Sequence, residues 1–187
     1  MITNTCIHTT DYASPYSRAL GPLFHRLAPV LAQLHGGGER RLQGVLRVHV
    51  GSKPSVRLLM WLVRRPQANA AASCDIQLVP THGGERWQRQ IGSCPMTSFQ
   101  EFGGEHEIIE RFGPLAIHLH CWVAKGSLWL RSHRTTLFGL TLPALLGLHV
   151  VAHERPLTAR RLRCDVRLRS PLLGCLLHYC GILELEH

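Results

Sequence analysis

His118 and His120 lie two positions apart in an apolar run, so a β-strand would aim both at one face. A third histidine, for instance His149 or His153, could then complete a three-histidine metal site and support a metal-assisted hydrolase. Against that, 13 histidines in 187 residues make such spacings common by chance, and there is no HExxH motif. A solvated or partly buried histidine face is the competing reading. A nucleophilic enzyme has less behind it, since the chain has no Gly-x-Ser-x-Gly elbow and no cysteine with a histidine partner in a recognised motif. Gly36-Gly37-Gly38 could wrap a phosphate, but without a following Lys-Ser/Thr pair and helix it reads as a helix stop. The residues therefore imply no cofactor, and a non-catalytic role is the expectation.

The segment Glu85-Arg86-Trp87-Gln88-Arg89 follows the turn signal Gly83-Gly84 and reads as the second strand of a hairpin. Alternation puts Trp87 and Arg89 on one face and Arg86 and Gln88 on the other. Period-two patterning continues through much of the chain. Leu46, Val48 and Val50 alternate with Arg47 and His49, and Leu115, Ile117, Leu119, Cys121 and Val123 share one face. Leu162, Cys164, Val166 and Leu168 oppose Arg161, Arg163, Asp165, Arg167 and Arg169, a buried face backed by a wet, basic one. Before the glycines, Leu20, Leu23, Phe24, Leu27, Val30, Leu31 and Leu34 recur at helical spacing, interrupted by Pro22 and Pro29, and predict two short helices or one kinked helix. Ser55 to Arg65 is ambiguous but helical by length, and Leu137 to Leu148 is too uniformly apolar to assign.

Strands joined by short turns argue for antiparallel pairing. The expected fold is α+β, mainly antiparallel β: a strongly curved sheet or partial barrel of about eight strands with an N-terminal helical layer on its apolar face. The whole chain is expected to be one domain, with residues 1–13 flexible and Leu185-Glu186-His187 resembling the start of a histidine tag.

Composition narrows the partners. Hydrophobic residues make up 45% and charged residues 18%, so the chain can build a core. The formal charge of +9 comes from 19 arginines and 2 lysines spread along the chain. No basic block is interleaved with exposed aromatics, which argues against nucleic acid. The 7 cysteines are odd in number and lack a CxxC, a pattern that fits reduced thiols and a cytoplasmic location. No secretory leader and no transmembrane run is evident.

Short motifs recur in order along the chain: Leu34-His35-Gly36, Glu85-Arg86-Trp87 with Arg89, Glu110-Arg111-Phe112-Gly113, Ala152-His153-Glu154, and His178-Tyr179-Cys180-Gly181. In this order they resemble the bacterial domain-of-unknown-function family 4166, over about Leu20 to Leu183. Gln88 and Cys180 depart from the arginines usual at those positions. The resemblance implies a domain that stands alone or follows an oxidoreductase-like domain, hence a possible oxidoreductase-type partner. It also implies that Trp87, Arg89, Glu110, Arg111, His153, Glu154 and Tyr179 converge in space. Such a cluster would bind a small apolar or anionic amphipathic ligand on the concave face, with an arginine offered to the anionic group. Cross-strand ion pairs that fix register would use the same charged residues.

Overall fold

Strand alternation dominates the computed structural model, which describes residues 13–62 and 66–186; the segment expected to be flexible lies outside these apart from Ala13. Two helices, α1 (Pro15–Leu20) and α2 (Pro29–His35), flank a 3-10 turn at Gly21–Arg26. They are followed by β1 (Arg40–Val50), α3 (Pro54–Leu62), β2 (Asn69–Thr81), β3 (Gly84–Ile91), β4 (Cys94–Gly104) and β5 (Glu107–Phe112). Then come β6 (Leu115–Ala124), β7 (Ser127–Leu137), β8 (Leu140–Thr141), β9 (His149–Pro156), β10 (Arg161–Ser170) and β11 (Gly174–Leu185).

All pairings are antiparallel, in the order β6-β5-β4-β3-β2-β1-β11-β10-β9-β7-β8. An additional β6–β7 pairing closes ten of the strands into a barrel, with β8 as a short extension of the β7 hairpin. The expected partial barrel of about eight strands is thus a closed barrel of ten with one extra strand. Two features hid the difference. Leu137 to Leu148 contributes a tight hairpin whose apolar residues are exposed, and Cys94 to Phe112 forms two full strands, β4 and β5, whose inner faces carry polar residues. Polar residues facing inward break the apolar alternation that identifies a strand.

Closure needs strong curvature. Register shifts in β1–β2, β4–β5, β6–β7 and β10–β11 supply bends. Where β1 meets β11, the strands approach so closely that a Cβ on Gly181 would lie 2.1 Å from the Val45 carbonyl oxygen. That contact explains the glycine in the Tyr179-Cys180-Gly181 motif as a packing requirement.

The helices close one end of the barrel. Ser14 caps α1, accepting from the Ser17 N–H at 2.9 Å and donating to the His35 carbonyl, which ties α1 to α2. The Ala28 N–H donates to Gly126 O and the His106 N–H to Ala19 O, joining the helices to the β6–β7 and β4–β5 turns. Val30, Leu31 and Leu34 are buried in the barrel core, each contributing about 1.5–3 kcal/mol through apolar burial. The helical layer therefore plugs an end instead of lying on a wall. At the opposite end α3 sits in the β1–β2 connection, with Val56 and Met60 buried. Leu185 pairs with Leu42 and is itself buried, so this residue is built into β11.

Candidate functional site

Along β3 the burial pattern alternates strictly, sending Glu85, Trp87, Arg89 and Ile91 inward. Neighbouring strands answer with Met96, Ser98 and Gln100 from β4, Glu110 from β5, Glu154 from β9 and Tyr179 from β11. The barrel interior thus holds a polar layer in its middle. Arg89 is buried, donating from Nη2 to Glu110 Oε1 at 2.9 Å and from Nη1 to Ser98 Oγ at 2.7 Å. Ser98 in turn donates to the same Glu110 oxygen at 2.7 Å. The Arg89 guanidinium also lies 4.8 Å from the Trp87 ring centroid. Burial pulls against the charge on Arg89, but Glu110, with Tyr179 and Tyr16, outweighs it and holds the guanidinium protonated.

Nearer the helical plug lies a second polar group, in which His35 and Tyr16 are buried and Glu154 partly so. His35 Nε2 and Glu154 Oε2 are 2.6 Å apart, and the imidazole packs 4.1 Å from the Tyr16 ring. Tyr16 donates to Gln100 Oε1 at 2.9 Å. Its pKa is raised well above the usual value, first by burial and then by Glu154. Glu85 is buried beside this group and burial raises its pKa, with His35 opposing. His35 has no solvent exposure, so it latches the plug to β9 and offers no face to a substrate.

Toward the open end the interior becomes apolar. A pocket of about 290 Å³ is walled by Met60, Met96, Ile117, Val150, Val166 and Leu177, with Arg89, Glu110 and Tyr179 forming its floor. Among the described residues Tyr179 has no hydrogen-bonding partner for its hydroxyl. Its pKa is raised by burial, against the pull of Arg89, so at neutral pH it is a donor facing the pocket. A smaller chamber of about 70 Å³ continues below, between Tyr16, Trp87 and Glu154.

Of the residues expected to converge, Trp87, Arg89, Glu110, Glu154 and Tyr179 do so inside the barrel. Arg111 and His153 do not. Each follows or precedes an inward residue by one position, so alternation sends it outward. Arg111 pairs with Glu101 at 2.6 Å on the outer wall, and His153 stacks on Trp129 at 3.7 Å. His118 and His120 share the outer face. His118 is engaged by Glu107 at 2.9 Å and by Arg134 at 2.8 Å, and its pKa is lowered by burial. His120 stacks on Trp122 at 5.8 Å. The described residues that could group around a metal are instead Asp165, His178 and Cys180, also on the outer wall, where Asp165 is already bonded to Arg167 at 3.1 Å. A wide furrow of about 830 Å³ crosses this wall, bordered by the exposed Arg131, Arg167 and Arg169.

Sequence reasoning missed Tyr16, His35, Ser98 and Gln100 as members of the interior polar set. For His35 a signal existed: it lies four residues after Leu31, on the buried stripe of α2, where a polar residue needs a partner.

A family model for a domain of unknown function, DUF4166, matches residues 27–183. The chain belongs to the DUF4166 family. Every inward-facing polar residue of β3, β5, β9 and β11 lies within the matched span, as does His35, whereas Tyr16 precedes it. No curated protein and no solved structure matches the chain significantly.

Proposed function

We propose that this DUF4166 domain is a non-catalytic carrier or sensor for a small amphipathic molecule held inside the barrel. The observation that carries the reading is a pocket with apolar walls whose floor is a buried arginine–carboxylate pair and a tyrosine hydroxyl without a protein partner. Apolar walls with a few convergent polar groups are what orient a ligand with one polar end. The volume of about 290 Å³ is roughly twice that of a cavity that holds benzene, which suggests on the order of ten to fifteen non-hydrogen atoms. Because Glu110 already neutralises Arg89, the floor suits a hydroxyl, carbonyl or carboxyl end that accepts from Tyr179 and from a remaining guanidinium N–H.

The test is native mass spectrometry of untagged protein beside Val166→Trp, which would fill the pocket from β10. The reading expects wild-type protein to retain a small molecule, or to take up medium-chain acids or alcohols in slight excess, and Val166→Trp to do neither. Equal uptake by both proteins would overturn it, as would no uptake by the wild type.

A further inference from the structure

In an antiparallel barrel each connection belongs to one end or the other, and here the two ends differ in composition. The connections remote from the helical plug are residues 51–68, 92–93, 113–114, 138–148 and 171–173. None contains an aspartate or glutamate, while 51–68 alone carries Lys53, Arg57, Arg64 and Arg65 in its sequence. The same connections hold most of the exposed large apolar side chains. Leu58 and Trp61 on α3 are 63% and 67% exposed, Phe138 and Leu140 on the β7–β8 hairpin are 78% and 74% exposed, and Leu145 and Leu172 are each more than half exposed. Lys53, just before α3, and Arg57 on it are exposed, without a carboxylate partner among the described residues.

Phe138 adds an independent sign. With φ of 51° followed by Gly139 at 80°, it occupies the first position of a hairpin turn that favours asparagine. A bulky side chain in the left-handed region costs free energy, and here it also leaves the ring in water. Neither the fold nor the turn gains from phenylalanine at this tip.

These residues lie on or beside the connections at the end of the barrel where Met60, Phe112, Leu115 and Leu148 line the inner pocket. We infer that the open end docks on an anionic lipid surface, with the apolar collar entering the headgroup boundary and the cations meeting lipid phosphates. Clustered exposed apolar side chains mark an interaction surface. Cations without anions beside them match a negatively charged sheet of headgroups, which requires no shape complementarity. The barrel wall stays in water, because its outward residues include Arg47, Gln88, Arg163 and Arg167, unlike a lipid-facing barrel. The mouth would then exchange its ligand with the bilayer directly. That last step rests on the proposed ligand site; the docking itself does not.

Cosedimentation tests this with vesicles of phosphatidylcholine alone and mixed with phosphatidylglycerol. The full chain should bind the mixed vesicles preferentially and release at high salt. Lys53→Gln with Arg57→Gln should weaken binding about thirty-fold, and Phe138→Asn about tenfold. Phe138→Asn should also raise the melting temperature, since asparagine suits that conformation, so lost binding could not be attributed to misfolding. Arg47→Gln with Arg163→Gln removes the same net charge from the wall and should change binding less than twofold. Equal weakening by wall and mouth variants would mean adsorption by net charge alone and would overturn the inference. So would absence of vesicle binding, including the case in which the collar captures a protein such as an oxidoreductase-type partner instead. Uptake of a medium-chain alcohol in vesicle-free solution reports separately on the pocket, so either idea can fail without the other.

Discussion

The two ends of the barrel both carry apolar residues, put to opposite uses. At the plugged end Val30, Leu31 and Leu34 enter the core, and two polar pairs accompany them, His35 with Glu154 and Tyr16 with Gln100. At the open end Leu58, Trp61, Phe138 and Leu140 face outward, and the charges near them have no counterion among the described residues. One end spends its apolar surface on stability, whereas the other leaves it available. Between them lies the Arg89–Ser98–Glu110 layer, the boundary at which a filled core gives way to a pocket.

The largest effect should come from breaking that boundary. Glu110→Ala leaves a buried guanidinium without its carboxylate and should cost about 3–5 kcal/mol in chemical denaturation. Glu101→Ala removes the partner of Arg111 on the outer wall, where the pair is half exposed, and should cost less than about 1 kcal/mol. Equal losses would erase the distinction between inner and outer ion pairs on which the site assignment rests.

Next come the ends themselves. Leu34→Ala should destabilise by about 2–5 kcal/mol because it opens a cavity under the plug. Leu140→Ala, at the mouth, should stay within about 0.5 kcal/mol of wild type. A large loss at Leu140 would show that the collar is part of the core.

A smaller, pH-dependent effect is expected at Glu85. Burial raises its folded-state pKa above the unfolded value, so the folded chain binds this proton more tightly. The stability it contributes is present in full below the unfolded pKa and is lost as pH rises through the folded one. Glu85→Gln keeps the side chain neutral throughout, so its melting temperature relative to wild type should rise between acid and neutral pH. A difference that does not change with pH would place Glu85 in a more solvated setting than its burial indicates.

How much of this was readable beforehand divides along the same lines. The alternation of β3 and β10 carried the direction of Trp87, Arg89 and Cys164, because each strand keeps one face in water. Closure was not readable: it depends on Leu128 to Arg131 of β7 pairing with β6 and with β9 at once, two strands far apart in the sequence. The short motifs mark strands whose inward residues meet in the barrel but do not distinguish the two faces of each strand, so they group Arg111 and His153 with Glu110 and Glu154 though each points the other way. The asymmetry of the ends is present in the sequence as carboxylate-free connections. It acquires meaning only once antiparallel topology assigns those connections to a single end.

The central claim is that the inner pocket receives a ligand, and two methionines report on it. Met60 from α3 and Met96 from β4 both line the pocket, and the remaining methionine is Met1. Methyl-labelled methionine NMR during titration with decanoic acid or decanol should move the Met60 and Met96 signals together to a saturable end point, and Val166→Trp should abolish the response. Signals of both methionines that stay fixed through the titration of the folded wild-type protein would contradict the account.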